Sequence, residues 1–364
     1  MHLSAMPTAG QLGWIEQQSL RQGYFQEIVR NPYRRRKNLA FPRTGAMRIT
    51  GQWPGPRENG RTGLTLWWWS RPTSPIMKSA GPFWRRESTW PATTTYGQAK
   101  ELEALAEEKG LLFMVTYTYM GHVTAKYARE LVASGAIGEV RTVMAEYPQG
   151  WLAFEDDFGG KQGEWRCDPQ QSGGVNCLGD LGTHVENAVA AMTGLKIKRL
   201  LAKMDVIVPG RVLDDNDSIL VEYDNGATGI YWTSQVAVGH DNSLRIRIYG
   251  SRGTIQWFQE TPERITVIDA DGTIREIHRG YGAIGEKAGK YGRLPAGHPE
   301  GWIEAMGNLY RGFAECIRAK QEGTFDPGMA DYPTVSQGVE GLAFVEACLE
   351  SNKNGNTWVE LERR

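Results

Sequence analysis

Between residues 139 and 278 the chain keeps switching between apolar and polar side chains. Glu139–Tyr147, Ser218–Tyr223 and Leu244–Tyr249 do so with a period of two, which places one set of side chains on each face of a strand. Asp224–Asn225–Gly226 and the run Asp269–Ala270–Asp271–Gly272 interrupt the alternation; such turns join antiparallel neighbours. Lys196–Val208, Ala227–Val238 and Thr254–Phe258 read as further strands of the same series. Consecutive hairpins of this kind predict a large, mostly antiparallel sheet with one face covered and one open. The spacing of apolar residues predicts helices over Thr95–Lys109, His122–Ser134, Gly301–Lys320 and Pro333–Ser351, the third with Trp302, Ala305, Met306, Leu309, Phe313 and Ile317 inward. Leu111–Leu112–Phe113–Met114–Val115 is a continuous apolar run, which suits a strand buried on both faces of a parallel sheet.

One stretch carries chemistry. Gln171 to His184 reads QSGGVNCLGDLGTH. Its paired glycines suit a close-approaching loop, and the apolar residues from Leu178 to Met192 recur at helical steps. Asp180 and His184 then share one face of a helix. A carboxylate beside an imidazole is a general acid/base arrangement; a helix-capping aspartate and a satisfied core histidine fit the same spacing. Upstream, the polar segment from Pro148 to Asp168 forms a long loop, and such loops are often functional. Lys161 and Trp165 in it can line a ligand site, the indole offering an apolar face and the amine a donor, while Trp165 equally suits a core. Tyr119 and His122 follow the apolar run and are candidate substrate contacts, or surface residues that open a helix. His298, ahead of a helix, can face a cleft.

Together, Trp165–Arg166, Ser172–Gly173–Gly174 and Asp180–x–Gly182–x–His184 resemble the signature of the Gfo/Idh/MocA family (glucose–fructose oxidoreductase, inositol dehydrogenase). The run from Thr93 to Leu102, the stretch Ser134–Val140, Tyr249–Gly250–Ser251–Arg252–Gly253, Gly297–His298–Pro299–Glu300–Gly301 and Asp331–Tyr332–Pro333–Thr334 extend the likeness from about Ala92 to the C-terminus. The resemblance implies an α/β fold: a Rossmann-type dinucleotide domain joined to an α/β domain with a large, mostly antiparallel sheet. It implies hydride transfer between NAD or NADP and a sugar, inositol or related polyol, with Asp180 and His184 catalytic. By the same resemblance Tyr119, His122, Lys161, Trp165, Arg166, Asn176 and His298 are substrate-binding candidates. It further implies a homodimer or homotetramer formed through the open sheet face, which Tyr231, Trp232 and Trp257 would suit.

The first ninety-one residues break the pattern. They carry twelve Arg and two Lys against four Glu and no Asp, about +10, and leave the remainder at about −11. Seven of the thirteen Trp fall here, including Trp67–Trp68–Trp69, with Val29 the lone valine. A dinucleotide-binding βαβ unit needs Val/Ile-rich strands and a Gly-x-Gly-x-x-Gly turn, and the segment has neither. In the family's register Trp90–Pro91 stands at a Glu-Lys-Pro position, with indole where the lysine belongs. Three readings compete: a segment translated out of its ancestral frame, which ranks first; a basic arm for nucleic acid; and a transit peptide. The expected division is therefore 1–91, an atypical basic segment; 92–121, the last helix and strand of the dinucleotide domain; and 122–364, the substrate and oligomerisation domain. No run reaches the ~18 apolar residues of a membrane span, and the N-terminus lacks the apolar core of a secretory signal. The four cysteines show no metal-type pairing. A reducing cytoplasm is the expected setting.

Overall fold

The computed structural model describes residues 95–155 and 161–361; Trp90, Pro91 and the basic segment lie outside the described residues. Its centre is a nine-stranded sheet in the order β8-β7-β6-β5-β1-β4-β3-β2-β9. The strands are β1 (Val140–Pro148), β2 (Ile197–Asp205), β3 (Asn216–Tyr223), β4 (Thr228–Ser234), β5 (Arg245–Gly250), β6 (Gly253–Phe258), β7 (Arg264–Asp269), β8 (Ile274–His278) and β9 (Val359–Glu360). Neighbours are antiparallel except β1 and β4, which run parallel with Tyr147 opposite Thr233 and Pro148 opposite Ser234. Gly226 and Gly272 close two hairpins at φ 86° and 87°, a region that favours glycine.

Helices cover one face: α2 (Val123–Ala133), α5 (Thr183–Thr193) and α8 (Val335–Lys353). Ala125 and Ala128 from α2, Val185, Val189 and Met192 from α5, and Phe344 and Cys348 from α8 meet Val143, Leu200, Ile219, Ile246, Ile255 and Val267 from the strands in one buried core. Each large aliphatic side chain buried here contributes about 1.5–3 kcal/mol. Tyr231 and Trp257 belong to this covered face, at 1% exposure each. Their polar tips are satisfied inside, Tyr231 against the Tyr223 hydroxyl at 2.7 Å and Trp257 Nε1 donating to Thr124 Oγ1 at 2.9 Å. Burying an indole N–H or a phenol requires such a partner. The open-face assignment therefore holds for Trp232 alone of the three, and it is only half-buried.

The first helix, α1 (Tyr96–Glu108), begins at Thr95, whose side chain accepts from the Gln98 amide while Gln98 returns a bond to the Thr95 N–H. Such a reciprocal pair satisfies two otherwise orphaned donors. Ala99 and Ala106 are its buried residues, and the Tyr96 amide donates to Glu346 of α8 at 3.2 Å. The apolar run 111–115 is not a strand among the described residues. It makes one bridge, Met114 to Thr334, and Val115 N–H donates to the Pro333 carbonyl at 2.8 Å. A parallel neighbour would have to come from outside the described residues.

The loop after β1 contains two short helices, α3 (Lys161–Arg166) and α4 (Pro169–Ser172); α6 (Glu286–Gly289) and the long α7 (Trp302–Glu322) follow the sheet. Inward positions of α7 begin at Ala305 and continue through Leu309, Phe313 and Cys316. Trp302, expected inward, is 47% exposed. It lies one turn before the point where α7 meets the chain at Gly121, a close approach that leaves no room for a Cβ beside the Ala305 carbonyl. Among the described residues no helix is long and apolar enough to cross a membrane.

Candidate active site

The glycine-rich stretch folds as a turn rather than as the start of a uniform α-helix. Gly173 takes φ 87°, Leu178–Gly182 form a π-helical turn, and α5 begins at Thr183. Such widened turns recur at functional sites. Buried Asp214 pins this one, accepting from the backbone N–H of Asn176 at 2.7 Å and of Leu178 at 2.6 Å. Gly182 is packed so closely that a Cβ would come within 2.7 Å of the Leu178 side chain.

Asp180 and His184 lie on this turn and the first turn of α5, but no hydrogen bond joins them. Arg166 takes Asp180 in a two-pronged grip, Nε to Oδ2 and Nη2 to Oδ1, both 3.0 Å. Gln235 Nε2 donates to the same Oδ2 at 3.0 Å. A bidentate guanidinium competes better for a carboxylate than a single ring nitrogen does, so the expected direct carboxylate–imidazole pair gives way to an Asp180–Arg166 pair beside the histidine. The His184 Nδ1 is buried without a partner, although part of the residue stays open.

Three phenols wall the imidazole. Tyr117, Tyr119 and Tyr147 present their rings roughly edge-on, with centroids 5.4, 5.0 and 6.3 Å from that of His184. Tyr119 and Tyr147 share a very short hydroxyl contact. Asn242 completes the group, accepting from Tyr147 at 2.6 Å and donating to Tyr119 at 3.1 Å. Gln149 donates to Asn242 at 2.8 Å and accepts from Trp151 Nε1 at 2.7 Å. Burial raises all three phenols, so they are neutral donors. Burial also pushes the His184 imidazole down to about 4, the charge of Asp180 opposing only part of that shift. The ring is therefore neutral at neutral pH and able to accept a proton.

Of the expected substrate contacts, the structure brings Tyr119, Trp165 and Arg166 to this cluster. The Arg166 guanidinium lies 4.4 Å from the Trp165 ring and 5.6 Å from the exposed Trp151. Asn176 is 3% exposed, and its amide donates to Gln235 at 2.8 Å, so it acts on the site through Gln235. Lys161 opens α3; its side chain lies outside the described residues. His122 is not with the pair. It is 5% exposed, tilts against Trp257 at 5.8 Å, and lines a small cavity with Arg279, Glu300 and Glu304. His298 is exposed and is held there through its carbonyl, which accepts from Arg279 at 2.6 Å. Position ahead of a helix is shared by many residues, and neither histidine had a second feature tying it to the cleft. Tyr147, Gln149, Trp151, Gln235 and Asn242 join the site unannounced: they are single residues at strand ends and turns.

The family model for the GFO/IDH/MocA C-terminal domain matches residues 125–256. An uncharacterized oxidoreductase of Bacillus subtilis, YfiI, is 34% identical over 277 residues, covering 75% of this chain and 70% of that protein. Among solved structures, an inositol dehydrogenase homolog from Azotobacter vinelandii complexed with NAD+ is 34% identical with a TM-score of 0.71, covering 74% of this chain and 70% of its own. The complex of that homolog with NADH and myo-inositol aligns at 33% identity and a TM-score of 0.67, over 73% and 69% of the two chains.

Proposed function

Because the chain belongs to the GFO/IDH/MocA family of oxidoreductases, we propose that it acts on a hydroxyl of an inositol, sugar or related polyol, with His184 as the base. The observation that carries this reading is the neutral imidazole with a buried, unpartnered nitrogen, walled by phenols and set beside an aspartate paired with Arg166. His184 takes the hydroxyl proton in oxidation and returns it in reduction. Tyr119, Tyr147 and Asn242 offer neutral hydroxyl and amide groups to neighbouring hydroxyls. Trp151 and Trp165 present aromatic faces on which sugar C–H groups can pack. NAD or NADP, when bound, supplies the hydride acceptor.

The described residues fit the reacting end of such a cofactor, because the buried, unpartnered His184 Nδ1 offers a lone pair or a proton to a hydroxyl that reaches it. The phosphate end differs: the sequence ahead of Tyr96 contains no Gly-x-Gly-x-x-Gly, and any such grip would lie outside the described residues. That observation, with Trp90 in place of a lysine, favours a second reading: a family member that keeps the substrate lobe but does not turn over. Fluorescence titration of the full chain with NADH and with NADPH separates the two. The first reading expects binding of one or both, polyol oxidation, and a fall in kcat of about 10²–10⁴ for His184→Ala with that affinity kept. Absence of binding to both NADH and NADPH selects the second. Retention of salt-sensitive binding to DNA only when residues 1–91 are present would instead support a nucleic-acid role.

A further inference from the structure

We propose that Arg166 and Gln235 are positioning residues for this reaction: together they take up both carboxylate oxygens of Asp180, hold it off the His184 ring, and leave that ring free for the substrate alcohol. This rests on the reading of His184 as the base. The grip is built from the core outward. Asp214 fixes the Asn176 backbone, the Asn176 amide orients fully buried Gln235, and Gln235 donates to Asp180 Oδ2. From the other side Arg166, its guanidinium 4.4 Å from Trp165, meets both oxygens at 3.0 Å. The side chains of Arg166 and Asp180 are 18% and 26% exposed, so water screens the pair only in part.

The groups facing His184 make the consequence one-directional. Asp180 faces it from the π-turn, Tyr117 and Tyr119 from the segment before α2, and Tyr147 from β1. Glu186, two residues along α5, bears on Tyr117. The phenols are neutral, which leaves Asp180 as the charge that acts on the ring. A bare carboxylate there would stabilise the imidazolium and raise the midpoint of the ring. Arg166, paired with both oxygens of that carboxylate, offsets part of its field.

The test is an imidazole NMR titration of the full chain, which has six histidines; the His184 signal is identified by its loss in His184→Asn. Arg166→Gln is expected to raise the His184 midpoint by about 1 unit or more, and to move the acid limb of kcat/KM the same way. Arg166→Lys, which restores the charge, should return most of the shift. Gln235→Leu should give a smaller rise, and it carries the test should Arg166→Gln not fold. An unchanged midpoint in the folded variants overturns the proposal. A raised midpoint in a chain that oxidises no polyol supports it and overturns the function proposed above.

Discussion

Glu186 lies two residues past His184 on α5, and burial, with Glu340 adding to it, pushes its carboxyl up to about 8 from an ordinary 4.5. Below 4.5 the folded and unfolded chains both hold this proton; between 4.5 and about 8 only the folded chain does. The stability that the bound proton contributes is thus complete in acid and lost as pH rises to about 8. Urea unfolding at pH 5, 7 and 9 should show the unaltered chain losing at least on the order of 1 kcal/mol more than Glu186→Gln over that range. Nothing in the sequence marks Glu186, because an acid on a helix is ordinarily solvated and only packing decides otherwise. Asp180 and His184 were singled out by the family resemblance, since their spacing alone fits a helix cap and a core histidine equally well. Their relation was not: the guanidinium that claims Asp180 comes from fourteen residues upstream, and Gln235 and Asn242 are lone amides at chain turns.

At the scale of elements, α2 is tied to the chain entering α8 by one acid. Asp331 accepts from Lys126 at 2.9 Å and from Arg129 at 2.7 Å. Lys126 is buried at 2% exposure, 4.4 Å from the Tyr291 ring. The two cations hold the Asp331 carboxyl well below its usual range, while burial pushes the Lys126 amine down to about 8. Asp331→Asn leaves a buried ammonium without its counter-charge, which costs about 3–5 kcal/mol. Thermal unfolding checks this, and Lys126→Met in the same background should recover part of the loss. The stabilising effect of Asp331 is present above its ordinary value near 3.8 and fades as pH falls below it. The elements themselves were readable where local chemistry decides them: the helix from Thr95, the Asn225–Gly226 and Asp271–Gly272 turns, and the alternating strands. The 111–115 run is no strand among the described residues because an apolar pentapeptide becomes one only when a neighbour supplies the ladder. Trp302 was misjudged because helical periodicity cannot say where along α7 the covering layer begins.

For the whole molecule, the face of the sheet turned away from the helices is the informative surface. Leu220 and Ile230, on paired strands β3 and β4, are 43% and 47% exposed. Residues 220 and 230 lie opposite each other across the two strands, and a second copy is the partner expected of them. Light scattering should find a dimer or tetramer, and the pair Leu220→Lys with Ile230→Lys should lower the mass to that of one chain without changing far-UV circular dichroism. The sheet order, with β1 between β4 and β5, was beyond the sequence, since only tertiary packing selects which alternating segments become neighbours. The one parallel pair has a consequence of its own. Because β1 and β4 point the same way, both strands finish at the same rim, where Gln149 N–H meets the Ser234 carbonyl at 2.7 Å and Leu152 N–H meets Gln235 at 3.1 Å. The connectors that leave this rim carry Trp151, Arg166, Gln235 and Asn242, while the framework beneath them is untouched by their identity. Two excursions from a single edge of the sheet thus come together over one patch, which ties the placement of Asp180 to the direction of one strand pair.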